Sequence, residues 1–327
     1  MRVNKYKILY IVLKSFGFFF LFKKVVKYRP IVICYHRISQ DKLEEHLSWF
    51  KKEYSVFRLN YLLDKYFSSE CKEDCTYNCL AITMDDCYES DFKNMLNATV
   101  HEQLNCTYFL PVTYAQSNKS FWSLRLIQSF NNIVSPLSIA MLNGERIEIL
   151  NELQKQEFVK GFIIKLQNNN LQTDEVENVV TDFLRINNIS DRAEKIINMN
   201  EVKESRDNEL VCFQSHTLTH PKLYLCSDEE LKIEFNDSKQ ALSQFSFSYS
   251  QDVICYPYGS LAHIGNSYKL AANTYKFGVT LMPGVINSET NKLLIPRIGI
   301  YERDTIYSIE LKFLKAQFLN TLKVLGL

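Results

Sequence analysis

Seven short apolar runs rich in β-forming residues punctuate the chain: "IVICY" (31–35), "LAITM" (80–84), "CTYFL" (106–110), "LVCF" (210–213), "DVICY" (252–256), "FGVTL" (277–281) and "LLIPRIGI" (293–300). Most are separated by stretches compatible with helix. Strand alternating with helix predicts a parallel sheet buried on both faces, either open or closed into a barrel. Chemistry in such folds gathers at the C-terminal ends of the strands. One interval breaks the rhythm. Residues 120–205 hold no run of strand type and read as charged or amphipathic helix, from "SIAMLNGERIEILNELQKQEFVKGFIIKLQ" to "DEVENVVTDFLRIN". They predict a helical insertion between two strands, covering a site or meeting a partner. No internal repeat or Pro-rich linker marks a separate domain.

The composition suits this reading. A chain of 327 residues, 46% hydrophobic and 13% aromatic, fills one large α/β domain or two ordinary ones. Basic and acidic residues balance at 38 and 37, a net charge of +1 that argues against nucleic acid or a polyanion as partner. The balance fails locally. Residues 1–40 lack Asp and Glu but carry nine Lys and Arg around "ILYIVLKSFGFFFLF". That run of 15 residues contains Lys14 and is shorter than the roughly 20 that span a bilayer, and no small-residue cleavage site follows it. Residues 1–27 are therefore expected to lie in a membrane interface, lysines toward anionic head groups. The alternatives are a helix packed on the domain or a short uncleaved span. Nine cysteines, several inside apolar runs, read as free thiols in a reducing compartment. Peripheral attachment at the cytoplasmic face follows. The spacing of Cys71, Cys75 and Cys79 matches no zinc or iron–sulfur pattern and is read as coincidence.

Three strand ends carry candidate chemistry. The second run ends in Asp85 and Asp86, adjacent carboxylates that would repel each other if both were buried. After "LVCF" comes "QSHTLTHPKL", which places His216 and His220 four apart, and the whole chain has six histidines. On a helical turn such a pair shares one face and can bind one ion. Two imidazoles and a carboxylate form an open site for a divalent metal, which leaves Asp85 free to act as a base. The competing reading is that the aspartates cap the following helix. The third piece, "CYPYGS" (255–260), is a rigid turn in which Pro257 fixes φ and Gly259 tolerates positive φ. Such a turn can offer an N–H to a developing oxyanion.

The order "YHRIS" (35–39), "TMDDCY" (83–88), "SHTLTHPKL" (215–223), "YPYG" (256–259) and "PRIGI" (296–300) resembles the polysaccharide deacetylase (NodB-homology, carbohydrate esterase 4) family, in its Tyr-His-Arg branch. The resemblance covers about 28–302, with the insertion at about 120–205 inside it and a C-terminal helix in 303–327. It implies a distorted (β/α)7-type barrel that removes N-acetyl groups from amino sugars of a polysaccharide or lipid-linked glycan. The implied cofactor is a divalent metal, usually Zn2+, with Co2+, Ni2+ or Mn2+ as alternatives. Residue by residue, Asp85 matches the base, Asp86, His216 and His220 the metal ligands, Thr217 a hydroxyl bracing the histidine loop, and Tyr258 the oxyanion N–H.

The chain departs from the family at three points. The histidine expected on the last strand as general acid is absent, which leaves His36, His263 or Asp85 itself. The Arg expected in the third motif is Cys255, so Arg297 is assigned to orient the base from the last strand. The Gly expected after the aspartates is Cys87, which would cost on the order of 1 to 2 kcal/mol if φ is positive there. Its thiol is expected beside the metal. Two other readings share these residues: a non-catalytic carbohydrate-binding or scaffold protein, and a deacylase or deformylase acting on a different amide.

Overall fold

The computed structural model describes residues 29–68, 78–245 and 247–324. The basic, apolar segment 1–27, Cys71 and Cys75 lie outside them. Among the described residues no helix is long and apolar enough to cross a membrane.

Eight parallel strands form the main sheet: β1 Ile31–Tyr35, β2 Ser55–Val56, β3 Cys79–Asp85, β4 Cys106–Leu110, β7 Val211–Ser215, β8 Val253–Cys255, β9 Phe277–Val279 and β10 Ile298–Gly299. Their order is β10-β1-β3-β4-β7-β8-β9, with β2 paired to β3. The sheet curls back on itself. Ile295 bridges Val279, and three residues later Ile298 pairs with Ile33, so the last run joins both edges. This is a distorted (β/α) barrel of the expected kind. The last run is broken where Pro296 lacks the N–H a ladder needs.

Side chains alternate across the strands, as the pleat requires. Ile31, Ile33 and Tyr35, with Leu80, Ile82 and Met84, pack outward in a large core beneath helices α1 Gln40–Glu53, α3 Glu89–Glu102 and α12 Ile306–Val324. Val32, Cys79, Ala81, Phe109, Cys255 and Val279 form a second cluster on the enclosed face, with Leu59, Leu62 and Leu63 of α2 Leu59–Phe67. Thr83 and Asp85 continue this enclosed row of β3 toward its C-terminal end. The C-terminal helix anchors the chain entering β1: Arg29 N–H donates to Gln317 Oε1 (3.0 Å) and Gln317 Nε2 donates back to Arg29 O (2.8 Å).

The interval between β4 and β7 contains α4 Val112–Ser117, α5 Trp122–Asn131, α6 Glu152–Asn168, α7 Thr173–Ile186 and α8 Met199–Ser205. It also contains what the helical reading missed, an antiparallel hairpin of β5 Leu137–Ala140 and β6 Arg146–Ile149. "SIAMLNGERIEI" alternates with period two around an Asn-Gly turn, with Gly144 at φ +89, and this local signal outweighs the charge pattern. The insertion has its own hydrophobic cluster of twelve buried residues from Trp122 to Leu184, centred on Phe130, Phe162 and Phe183.

Candidate active site and metal centre

The sheet brings six of the seven predicted site residues to the C-terminal ends of its strands, while Arg297 immediately precedes β10. His36, Asp85, Asp86, His216, His220 and Tyr258 line one cavity of about 210 Å3. Arg297 lies behind it, fully buried.

Asp85 is held from behind. Arg297 donates from Nη1 to Oδ1 and from Nη2 to Oδ2, both at 2.7 Å. The same guanidinium donates to Thr280 O (2.9 Å) and Thr83 Oγ1 (3.0 Å), so its fork is fixed. Two buried thiols, Cys34 and Cys255, donate to Asp85 Oδ2 at 3.3 and 3.4 Å. Burial alone would push the Asp85 carboxyl up; Arg297 overrides it and holds the group far below the usual carboxylate range. Arg297 thus stands where the sequence assigned it, and Cys255 beside it leaves the room. Cys34 was not foreseen as a site residue. Its signal was its parity with Val32 on β1, facing the enclosed side.

Asp86 faces the other way. Its Oδ1 lies 3.5 Å from His216 Nε2 and 3.9 Å from His220 Nε2. A tetrahedral ion with bonds of about 2.1 Å sets its donors about 3.4 Å apart, so these edges fit a divalent metal. His216 Nδ1 sits 2.9 Å from Cys255 O. A carbonyl only accepts, so Nδ1 carries the proton and Nε2 keeps its lone pair for an ion. Burial, then the neighbouring His216, pushes His220 down to about 3, which keeps the His220 imidazole neutral. Among the described residues two other donor sets are as compact, Cys34–His36–Asp85 and Asp85–His216–Cys255. Both share Asp85, whose two oxygens Arg297 already takes, and burial pushes both thiols well up. The Asp86 set is the one whose donors are free.

Backbone strain concentrates here. Asp86, Cys87, Thr217, His220 and Tyr258 all have φ between 56° and 68°. Each such non-Gly residue costs about 1–3 kcal/mol and persists only where its surroundings dictate it. Cys87 meets the condition set for it, with φ 57°. Its thiol, however, does not join the donors: it is buried in the outer core and donates to Phe109 O (3.5 Å). The aspartates do not cap the next helix, since α3 has Tyr88 at its N-cap and no side-chain cap bond. Nor do the histidines share a helical turn. They sit on a loop folded by left-handed Thr217 and His220, and Thr217 Oγ1 accepts from His220 N–H (3.1 Å). Buried Glu234 ties the same loop to α9 Asp228–Ser243, accepting from the N–H groups of Leu218 and Thr219 at 2.9 Å. Sequence reasoning missed Glu234.

Tyr258 caps the far wall. The turn closes through Gly259 N–H to Tyr256 O (3.1 Å), and among the described residues the Tyr258 N–H has no acceptor. Of the acid candidates, His36 is in place, with Nε2 3.6 Å from Asp85 Oδ2. His263 instead pairs with Ser260 Oγ (2.7 Å) and lies tilted against the Tyr258 ring, centroids 5.1 Å apart. The insertion supplies the remaining wall with Phe121, Trp122, Ser123, Gln167 and Thr173. The Phe121 ring lies tilted against His220 with centroids 4.5 Å apart, and Thr173 Oγ1 donates to His220 O (3.2 Å).

The polysaccharide deacetylase family model matches residues 72–278, more than half of the chain. The chain belongs to the polysaccharide deacetylase family. The deacetylase has the fold of several solved structures at low identity. Deacetylase PplD of Streptococcus pyogenes, solved with acetate, is 15% identical with a TM-score of 0.55, over 88% of this chain and 98% of that one. IcaB of Ammonifex degensii is 11% identical at 0.55, over 88% and 97%. The putative polysaccharide deacetylase BA0330 of Bacillus anthracis is 14% identical at 0.55, over 88% and 69%. No curated protein matches the sequence. By family the deacetylase is a hydrolase acting on N-acetyl groups.

Proposed function

We propose that the deacetylase removes N-acetyl groups from amino sugars of a glycan, with a divalent ion held by Asp86, His216 and His220 and with Asp85 as general base. The observation that carries this reading is the division of two adjacent carboxylates. Arg297 engages Asp85 from behind at 2.7 Å, and Asp86 meets two imidazole nitrogens at 3.5 and 3.9 Å in the same cavity.

Zinc suits two imidazoles and one carboxylate; cobalt, nickel and manganese accept the same donors with other affinities. When bound, such an ion polarises the acetamide carbonyl and acidifies a water. Asp85 does the protein's part of the attack. It is ionised at the start of each cycle because Arg297 holds it so, and it takes the proton of the attacking water. Arg297 also fixes its orientation, so Asp85 needs no reorganisation to act. The Tyr258 N–H, free of other acceptors, donates to the oxyanion. The leaving amine is protonated by His36, which lies beside Asp85, or by Asp85 returning its proton.

Chelation tests the reading. Acetate release from N-acetylglucosamine oligomers should vanish when the purified protein is stripped of metal and return with one equivalent of zinc per chain. Undiminished release from protein shown to be metal-free would overturn it.

A further inference from the structure

The His36 ring reaches the cavity from the loop after β1 and is about a third exposed, with Nε2 3.6 Å from Asp85 Oδ2 and Nδ1 3.6 Å from Cys34 Sγ. Contacts of that length do not fix a side chain. The ring goes where its backbone carries it.

That backbone is held by three carboxylates from three parts of the chain. Arg37 pairs with Glu194 of the insertion and places Nε 3.3 Å from Asp91 Oδ2 on α3. Ile38 N–H donates to Asp91 Oδ1 (3.3 Å), and Ser39 donates from N–H and Oγ to Glu302, just past β10, both at 2.8 Å.

Glu194 has a second task. Its other oxygen, Oε1, accepts from Ser90 N–H (2.7 Å), one of the amides that the first turn of α3 cannot pair within the helix. Around it the returning end of the insertion is stitched to the segment that follows Asp86: Glu89 N–H donates to Lys195 O and Ile197 N–H to Cys87 O, both at 3.0 Å. Glu194 N–H in turn donates to Gln128 Oε1 of α5 (2.5 Å). One side chain therefore ties the loop that carries His36 to the segment that carries both aspartates.

We propose that Glu194 is a positioning residue for catalysis: through Arg37 it sets the distance from His36 to Asp85, across which the proton taken from water is relayed to the leaving nitrogen. The inference rests on the deacetylase reading above. Asp85 takes a proton from the attacking water, and His36 accepts it at Nε2. When the C–N bond breaks, its electron pair stays on nitrogen, and His36 delivers the proton there. The amine leaves neutral, the oxygen and second hydrogen of the water leave in acetic acid, and both side chains are reset. A misplacement of about 1 Å in such a relay costs on the order of a hundred-fold.

The test compares two substrates on zinc-loaded protein: an N-acetylglucosamine trimer, whose nitrogen must be protonated to leave, and 4-nitrophenyl acetate, whose phenolate leaves as a stable anion. Glu194→Ala should lower kcat on the amide about ten- to hundred-fold, with KM and zinc content near wild type, and change ester hydrolysis by less than about two-fold. Arg37→Met cuts the same bridge from its other end, on an exposed side chain, and should reproduce that pattern. A fold defect in one variant, seen in its thermal midpoint, leaves the other to decide. On the amide, Glu194→Ala/His36→Ala should be no slower than His36→Ala alone, because removing the ring leaves nothing to position. Equal losses on amide and ester, additive losses in the double variant, or amide turnover untouched by both single substitutions would overturn the inference while the deacetylase reading stands. A wild type that releases no acetate from the amide removes both.

Discussion

The barrel mouth and the insertion meet over one cavity but are built differently. At the mouth the functional groups sit among strained backbone and buried charge: five residues have left-handed φ, and a fully buried arginine is forked onto Asp85. The insertion contributes ordinary helices around its own hydrophobic cluster and reaches the cavity with aromatic and neutral polar side chains. Precision costs stability at the mouth, and the surrounding barrel offsets it. The wall opposite has no such demand. The barrel thus supplies the charged and imidazole groups of the cavity, and the insertion supplies its aromatic and neutral wall.

Removing the arginine is the hardest blow to the barrel side. Arg297→Ala leaves the Asp85 carboxylate buried and unpaired, which should cost about 3–5 kcal/mol in denaturant unfolding and abolish acetate release. Asp85→Asn/Arg297→Met should recover much of the stability and none of the activity. If the single variant loses activity at unchanged stability, the pair orients the base without supporting the fold.

On the other side, Phe183→Ala at the centre of the insertion's cluster should also cost about 3–5 kcal/mol. Here the consequence should differ in kind: weaker oligosaccharide binding, with zinc affinity by titration nearly unchanged. Zinc loss as complete as that of Asp86→Ala would erase the distinction between the two regions.

A smaller effect is expected at the seam. Arg37, just past β1, pairs with Glu194 of the insertion and lies 3.3 Å from Asp91 on α3. Asp91 Oδ2 makes no hydrogen bond, and burial outweighs Arg37 in pushing the carboxyl up to about 6. A folded pKa above the unfolded one means the native state binds the extra proton. The contribution is therefore complete below about pH 4 and lost as pH rises through 6. Asp91→Asn should be more stable than wild type at pH 7.5, by at most about 3 kcal/mol, and the advantage should vanish near pH 4. A constant difference across that range in thermal melts would show that Asp91 titrates normally.

The barrel was legible because short continuous apolar runs of β-forming residues and their polar ends are local signals; β1 and β4 fall on the predicted residues. The metal trio was legible because carboxylate and imidazole pairs are rare combinations. Arg297 emerged from position and charge alone, as the basic residue of the last run. What stayed hidden depended on chain path. Phe121, Trp122, Gln167 and Thr173 enter the cavity only because the insertion folds back over it, and nothing in their local sequence announces that. The hairpin at 137–149 was readable but was masked by its charges. The left-handed turn of the histidine loop could not be seen, because Thr217 and His220 adopt positive φ under the hold of neighbours such as Glu234.

The central claim is that Asp86 holds the metal while Asp85 moves the proton. Zinc content and the rate of acetate release from an N-acetylglucosamine oligomer, measured together on Asp85→Asn, test it most directly. The account predicts one zinc per chain, as in wild type, with a rate lower by about 10²–10⁴-fold. An unchanged rate, or a rate that falls only because zinc is lost, would contradict it.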